Sequence, residues 1–235
     1  MLVISGLMSL GVLRLNEVNN VRTEYSPATA PSRIEHRVAM DFLGQNGTLD
    51  PIYVLIEARD NGSLLRDEHR KALMQFIKQI QSNVTIQHDG QTYGFKELCE
   101  PYCELNTAFM AFLRLYDPSN QVTFTYPSIA LFGSQIFIGN NVYGVVLEEG
   151  TNYIKSFSTA VVQLFISASD NKILCQWQVE VQRQCGREEF QLLSIGLTSD
   201  CLVSSEVRRM GTETAPLLFG SICAMIFFVV VTSIR

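Results

Sequence analysis

Apolar and polar positions along the chain fall into short periods that change several times. The first thirteen residues, "MLVISGLMSLGVL", are apolar or small up to Arg14. Crossing a bilayer takes about 20 residues in a helix, so this run is too short to span. It has no positive n-region and no A-x-A site, and residues 1–15 read as the outer half of a membrane helix rather than a signal peptide. In "SRIEHRVAMDFLGQNG", Ile34, Val38 and Phe42 recur every four residues and predict a helix. Ser32 with Glu35 makes a capping-box pattern there, and Gly44 supplies a stop. "PIYVLIEA", residues 51–58, is apolar on both parities and rich in β-branched residues, as a central strand is. Residues 63–82 predict a helix, with Asp67 and Glu68 in its first turn and Leu73, Ile77 and Ile80 on one face. "VTIQ", residues 84–87, alternates and predicts a strand.

The same order returns later. "TAVVQLFISA", residues 159–168, predicts a strand, and Asp170 can cap a helix over "NKILCQWQVEVQRQ" with Ile173, Trp177 and Val181 in four-residue steps. "FQLLSIGL", residues 190–197, predicts another strand. Counted from Ile52, the helix starts 11 residues on at Ser63 and the next strand 32 on at Val84; counted from Thr159, the offsets are 11 to Asp170 and 31 to Phe190. Two matching strand–helix–strand units make an α+β chain of β-α-β-β-α-β type, the ferredoxin-like arrangement, with residues 88–158 inserted between the halves. The chain then runs into "APLLFGSICAMIFFVVVTSI", residues 215–234, with no charge in twenty residues. At about 1.5 Å per residue that covers the roughly 30 Å of a bilayer core. Pro216 would sit in its first turn, where a missing N–H costs little.

Composition narrows the setting. The 235 residues carry a net charge of −5 without a basic run, which excludes nucleic acid as a partner. Sequons occur at Asn46, Asn61 and Asn83, and five cysteines (Cys99, Cys103, Cys175, Cys185, Cys201) precede the span while Cys223 lies within it. Together they place residues 16–212 on an extracellular or lumenal side. The arginines disagree: Arg208 and Arg209 precede the span and only Arg235 follows, which by the positive-inside rule points the domain to the cytosol. The sequons and cysteines outweigh that short count.

Candidate chemistry is sparse. His36, His69 and His88 are scattered, the first two on helix faces expected to be exposed, and no HExxH, paired Cys-x-x-Cys or G-x-S-x-G occurs. "FGSQ" around Gly133 is a loop, and the pairs Glu148–Glu149 and Glu188–Glu189 are solvated turns. Neither catalytic residues nor metal ligands nor a cofactor are expected. Cys99 and Cys103 ("CEPYC") have a spacing that suits a local disulfide, and Cys201 is the candidate for a free thiol. Trp177 belongs to the core face of its helix.

The blocks "LRLNEVNNVRTEYSPATAPSRIEH", "LGQNGTLDP", "LCEPYCELNTAFMAF", "YPSIALFGSQIFIGNNVYGV", "SFSTAVVQLF" and "SSEVRRMG" closely resemble the Patched-related proteins of nematodes, from about Leu13 to the last residue. The resemblance implies a porter-type ectodomain between membrane helices 1 and 2, with residues 215–234 as helix 2, the start of a sterol-sensing domain. It implies a role in sterol or lipid movement or Hedgehog-receptor-like signalling, with links to moulting and membrane trafficking, at the plasma membrane or an endocytic vesicle. The partners it implies are a membrane lipid or sterol, further membrane helices and a second ectodomain; on this reading the chain is the N-terminal piece of a longer protein. A different reading is a stand-alone glycoprotein acting as a binding module. It would be held by the span or by a glycolipid anchor at Ser204 and Ser205.

Overall fold

The computed structural model describes residues 26–42, 48–117, 119, 122–131 and 133–233, with the backbone alone at 36, 40, 48 and 49. The assigned helix end at residues 1–15, the Gly44 stop and the Asn46 sequon lie outside the described residues, as does the His36 side chain. In chain order the elements are α1 (Pro31–Phe42), β1 (Thr48–Ala58), α2 (Asp67–Asn83), β2 (Thr85–His88), β3 (Gln91–Gly94), α3 (Phe95–Leu98) and α4 (Thr107–Leu115). Then come β4 (Ser128–Leu131), β5 (Ser134–Phe137), β6 (Val142–Tyr143), β7 (Val146–Leu147), β8 (Ile154–Ser156), β9 (Thr159–Ala168), α5 (Asn171–Cys185), a 3-10 turn at Glu188–Phe190, β10 (Leu193–Thr198) and α6 (Asp200–Ser233). The chain divides into two compact units, Ala39–Leu202 and the pair of segments Met1–Val38 and Val203–Arg235.

The Ala39–Leu202 unit is a mixed α+β body around one antiparallel sheet of order β10-β1-β9-β6. β1 is central because it can be: Ile52, Val54 and Ile56 are fully buried under α2 and α5, and each such side chain contributes about 1.5–3 kcal/mol. The opposite face of β1 was expected to be covered too. It is half open, with Tyr53 38% and Leu55 42% exposed, because both long helices pack on the same side. α2 buries Leu73, Phe76, Ile77 and Ile80; α5 buries Ile173, Trp177 and Val181 and starts from Asp170, whose carboxylate accepts from the Lys172 N–H at 2.8 Å. Trp177 has no exposed surface, stacks 6.0 Å from Phe95 and donates its indole N–H to the Val84 carbonyl.

The strand expected at 84–87 forms, but elsewhere. β2 pairs with β3 in a separate hairpin, and the place beside β9 is held by the two residues of β6. The cause is local: Asp89 and Gly90 adopt φ of 50° and 78°, the left-handed turn that an Asp-Gly pair favours, so β2 folds back at once. Two further positions on β9's outer edge, Val161 and Gln163, are capped by buried asparagines from the insertion. Asn106 accepts from the Gln163 N–H and donates to the Gln163 carbonyl, while Asn141 accepts from the Val161 N–H through its own carbonyl and donates to the Val161 carbonyl through Nδ2. Below them Phe109, Phe112, Phe124 and Phe157 form an aromatic layer, and Arg70 ties α2 to the end of α4 through the Leu113 and Tyr116 carbonyls.

Three other expectations shift. Helix α1 starts at Pro31, whose fixed φ suits a first helical position, so Ser32 lies inside the first turn and is not the cap; Ile34, Val38 and Phe42 are exposed at 61%, 61% and 87%. Helix α6 starts at Asp200, which puts Pro216 well inside it, without the N–H that would meet the Thr212 carbonyl. His69 is buried, 7% exposed, because it shares the stripe of Leu73, Phe76 and Ile80.

Candidate functional site: the seat of the membrane-length helix

A row of small and polar side chains in the Ala39–Leu202 unit holds the first turn of α6. Ser199 is its N-cap: the Ser199 Oγ accepts from the Leu202 N–H at 3.3 Å. The same hydroxyl donates to Gln178 Oε1 at 2.6 Å, and Gln178 Nε2 donates to Asp50 Oδ2 at 2.5 Å. All three side chains are buried, Gln178 completely. A low-dielectric surrounding makes such bonds stronger and makes losing one partner costly. Two residues after Ser199, Cys201 is bonded to Cys175 of α5, with Cα atoms 5.5 Å apart. A cap, a three-residue polar relay and a covalent bond therefore converge on residues 199–202. The relay has no nucleophile in it, because the Ser199 proton points at an amide oxygen rather than at a base.

This pairing corrects the reading of Cys201 as the free thiol. Among the described residues the unpaired cysteines are Cys185 and Cys223. Cys185, at the end of α5, donates from sulfur to the Val181 carbonyl, and burial pushes its thiol up to about 11. Cys99 and Cys103 are bonded to each other across a Cα separation of 4.8 Å and pin the turn between α3 and α4. The ring of Tyr102, inside that loop, meets Phe165 edge-on at 5.6 Å, on the half-open face of the sheet.

The remaining sequence candidates are dispersed. Asn61 sits exposed in the turn after β1 with φ of 56°, and Asn83 is exposed at the end of α2, followed by buried Val84 and exposed Thr85. His88 ends β2, its Nε2 3.6 Å from Asp89 and 3.7 Å from Asp170. His69 Nε2 faces Arg66 at 3.0 Å, and the two-bond pairing of Arg66 with Asp60 holds that carboxyl well below the usual carboxylate range. Gly133 turns the β4–β5 hairpin at φ of 81°, and both acidic pairs are exposed. No group of three or more His, Cys, Asp or Glu side chains is close enough to hold a metal among the described residues.

The relay was not legible beforehand. Nothing in "WQVE" marks Gln178 as buried rather than exposed, and Asp50 looks like a turn residue ahead of Pro51. One signal was available: Ser199 stands directly before the helix that contains Cys201, and Cys175 lies on the helix before it.

Helix α6 is long and apolar enough to cross a membrane, and none of its apolar window is buried, unlike the core helix of a soluble protein. Two disulfides fit an oxidising, extracellular-type environment. No known family model matches the chain, and neither does any curated protein.

Glycan attachment gives a direct test of the compartment. Asn61 and Asn83 are both exposed and are expected to be modified in a microsomal translation system, giving mobility shifts that an endoglycosidase removes. Each of Asn61→Gln and Asn83→Gln should remove one step. A band that does not move would place the domain in the cytosol.

Proposed function

We propose that the chain is the membrane-anchored ectodomain and following span of a Patched-related protein that handles sterol or another membrane lipid. One observation carries this reading: the last strand of the sheet passes to a membrane-length helix through a single residue, Ser199, on a domain whose sequence blocks resemble that family. The sheet order supports a ferredoxin-like porter domain in part. β10, β1 and β9 stand as fourth, first and third strands of that arrangement would, with both long helices on one face, and β6 from the insertion takes the second strand's place. The partners that follow are a sterol or phospholipid, further membrane helices and a second ectodomain. The location that follows is the plasma membrane or an endocytic vesicle, with a role in moulting, trafficking or Hedgehog-type reception. The role is binding or conduction rather than catalysis.

The test is reconstitution of the full 235-residue chain in liposomes containing a photoactivatable sterol. Saturable labelling of α6 or of the half-open sheet face, competed by unlabelled sterol, is the expected result; labelling that never saturates would overturn the reading. Residues 215–233 contain no Asp or Glu, so an imposed Na⁺ or H⁺ gradient has no carboxylate to act on there and should leave sterol transfer between liposomes unchanged. Transfer that follows the gradient would refute that assignment of the span.

A further inference from the structure

The two edges of the main sheet are treated in opposite ways. At the β9 edge the outward N–H and C=O groups of Val161 and Gln163 are satisfied by Asn141 and Asn106. At the β10 edge nothing comparable is present among the described residues. The Arg59 N–H donates to the Leu192 carbonyl, so by the alternation of an antiparallel ladder Leu193, Ile195 and Leu197 turn their N–H and C=O away from β1. No backbone group pairs with them among the described residues. Sheets commonly protect such an edge with charge, proline or a bulge. Residues 190–199, "FQLLSIGLTS", have neither charge nor proline, and the register of β10 on β1 runs without a break from Leu193 to Thr198.

The geometry points to β10 as the seam of a dimer, in which the β10 strands of two copies of this chain pair antiparallel across a two-fold axis at Ile195. Open N–H and C=O groups at strand spacing select an extended polypeptide, and an uncharged edge selects an uncharged strand. β10 itself meets both conditions. With Ile195 on the axis, Leu193 lies opposite Leu197 of the other copy and Ser194 opposite its Gly196, so all three outward-facing residues of each strand are bonded and no like charges meet. The symmetry of the contact decides the stoichiometry. Two-fold pairing of β10 on β10 uses the open β10 edge of both copies at once, so it closes at two copies and does not grow into a fibre.

The experiment is the molar mass of the full chain in detergent, measured by light scattering over a range of concentrations. Wild type is expected to show a monomer–dimer equilibrium. In Ser194→Lys/Gly196→Lys the monomer loses nothing, since both positions are exposed and residue 194 faces Glu57 across β1. In the dimer two Lys–Lys contacts would arise, raising the dissociation constant at least about tenfold at low salt, with partial recovery at high salt. Ile195→Pro removes an outward N–H without a bond to β1 and should abolish the dimer with the far-UV spectrum unchanged. If that variant misfolds, the lysine pair still decides the matter. A wild-type chain that stays monomeric, a dimer indifferent to the lysines (assembly through another surface, such as the Gly220 and Ala224 side of the span), or growth past two copies would each overturn the proposal.

Discussion

Trp177→Ala is expected to destabilise the Ala39–Leu202 unit by about 3–5 kcal/mol, the usual cost of emptying a fully buried aromatic site. Two losses add up here. The cavity opens against Phe95, and the Val84 carbonyl, which accepts the indole N–H at 3.2 Å, is left without that donor. Trp177→Phe separates them, because it refills most of the volume and leaves only the carbonyl unmet, so about 1–3 kcal/mol is expected. Chemical denaturation followed by far-UV circular dichroism measures both variants. If the two cost the same, the hydrogen bond rather than the packing dominates. A loss below about 1 kcal/mol for alanine would show that the site is not the core position described.

Cys175→Ser/Cys201→Ser has the second large expected effect. The bond closes a loop of 26 residues, and the chain-entropy relation assigns about 3.5 kcal/mol to a loop of that size. The same relation gives about 2 kcal/mol for the four-residue separation of Cys99 and Cys103, so the two double variants should rank in that order. The measurement is again the denaturation midpoint of the oxidised chain against each variant. Reversal of the ranking would mean that the insertion, not the seat of α6, depends more on its cross-link.

Four-residue spacing located the apolar faces of α2 and α5, because the burial of Leu73, Ile77, Ile80, Ile173, Trp177 and Val181 depends only on helical period. Apolar runs rich in β-branched residues located β1 and β9. What stayed hidden depends on tertiary competition. β2 obeys its Asp-Gly turn instead of the sheet, although "DG" between two alternating runs is a hairpin signal that outranks a match of offsets. The face of His69 was misjudged by residue type, although its spacing to Leu73 and Phe76 already placed it on the apolar stripe. Gln178 and Asp50 come together from positions 128 apart, and no local pattern can announce such a bond.

The order of the strands also sets the order in which the domain can be built. Tyr53 of β1 pairs with Gln163 and with Thr198, which follow it by 110 and 145 positions respectively (163 − 53 and 198 − 53). Closing a loop of that length costs about 4 kcal/mol in chain entropy before any contact rewards it, and sheets of such high contact order fold slowly. During synthesis β1 emerges first and waits. Its backbone has no strand partner until β9 follows, and the sheet is finished only by β10, immediately before the apolar helix. Asn61 and Asn83 lie in the stretch that waits, so glycans placed there would give lectin-type chaperones a handle on an apolar strand for as long as it remains unpaired.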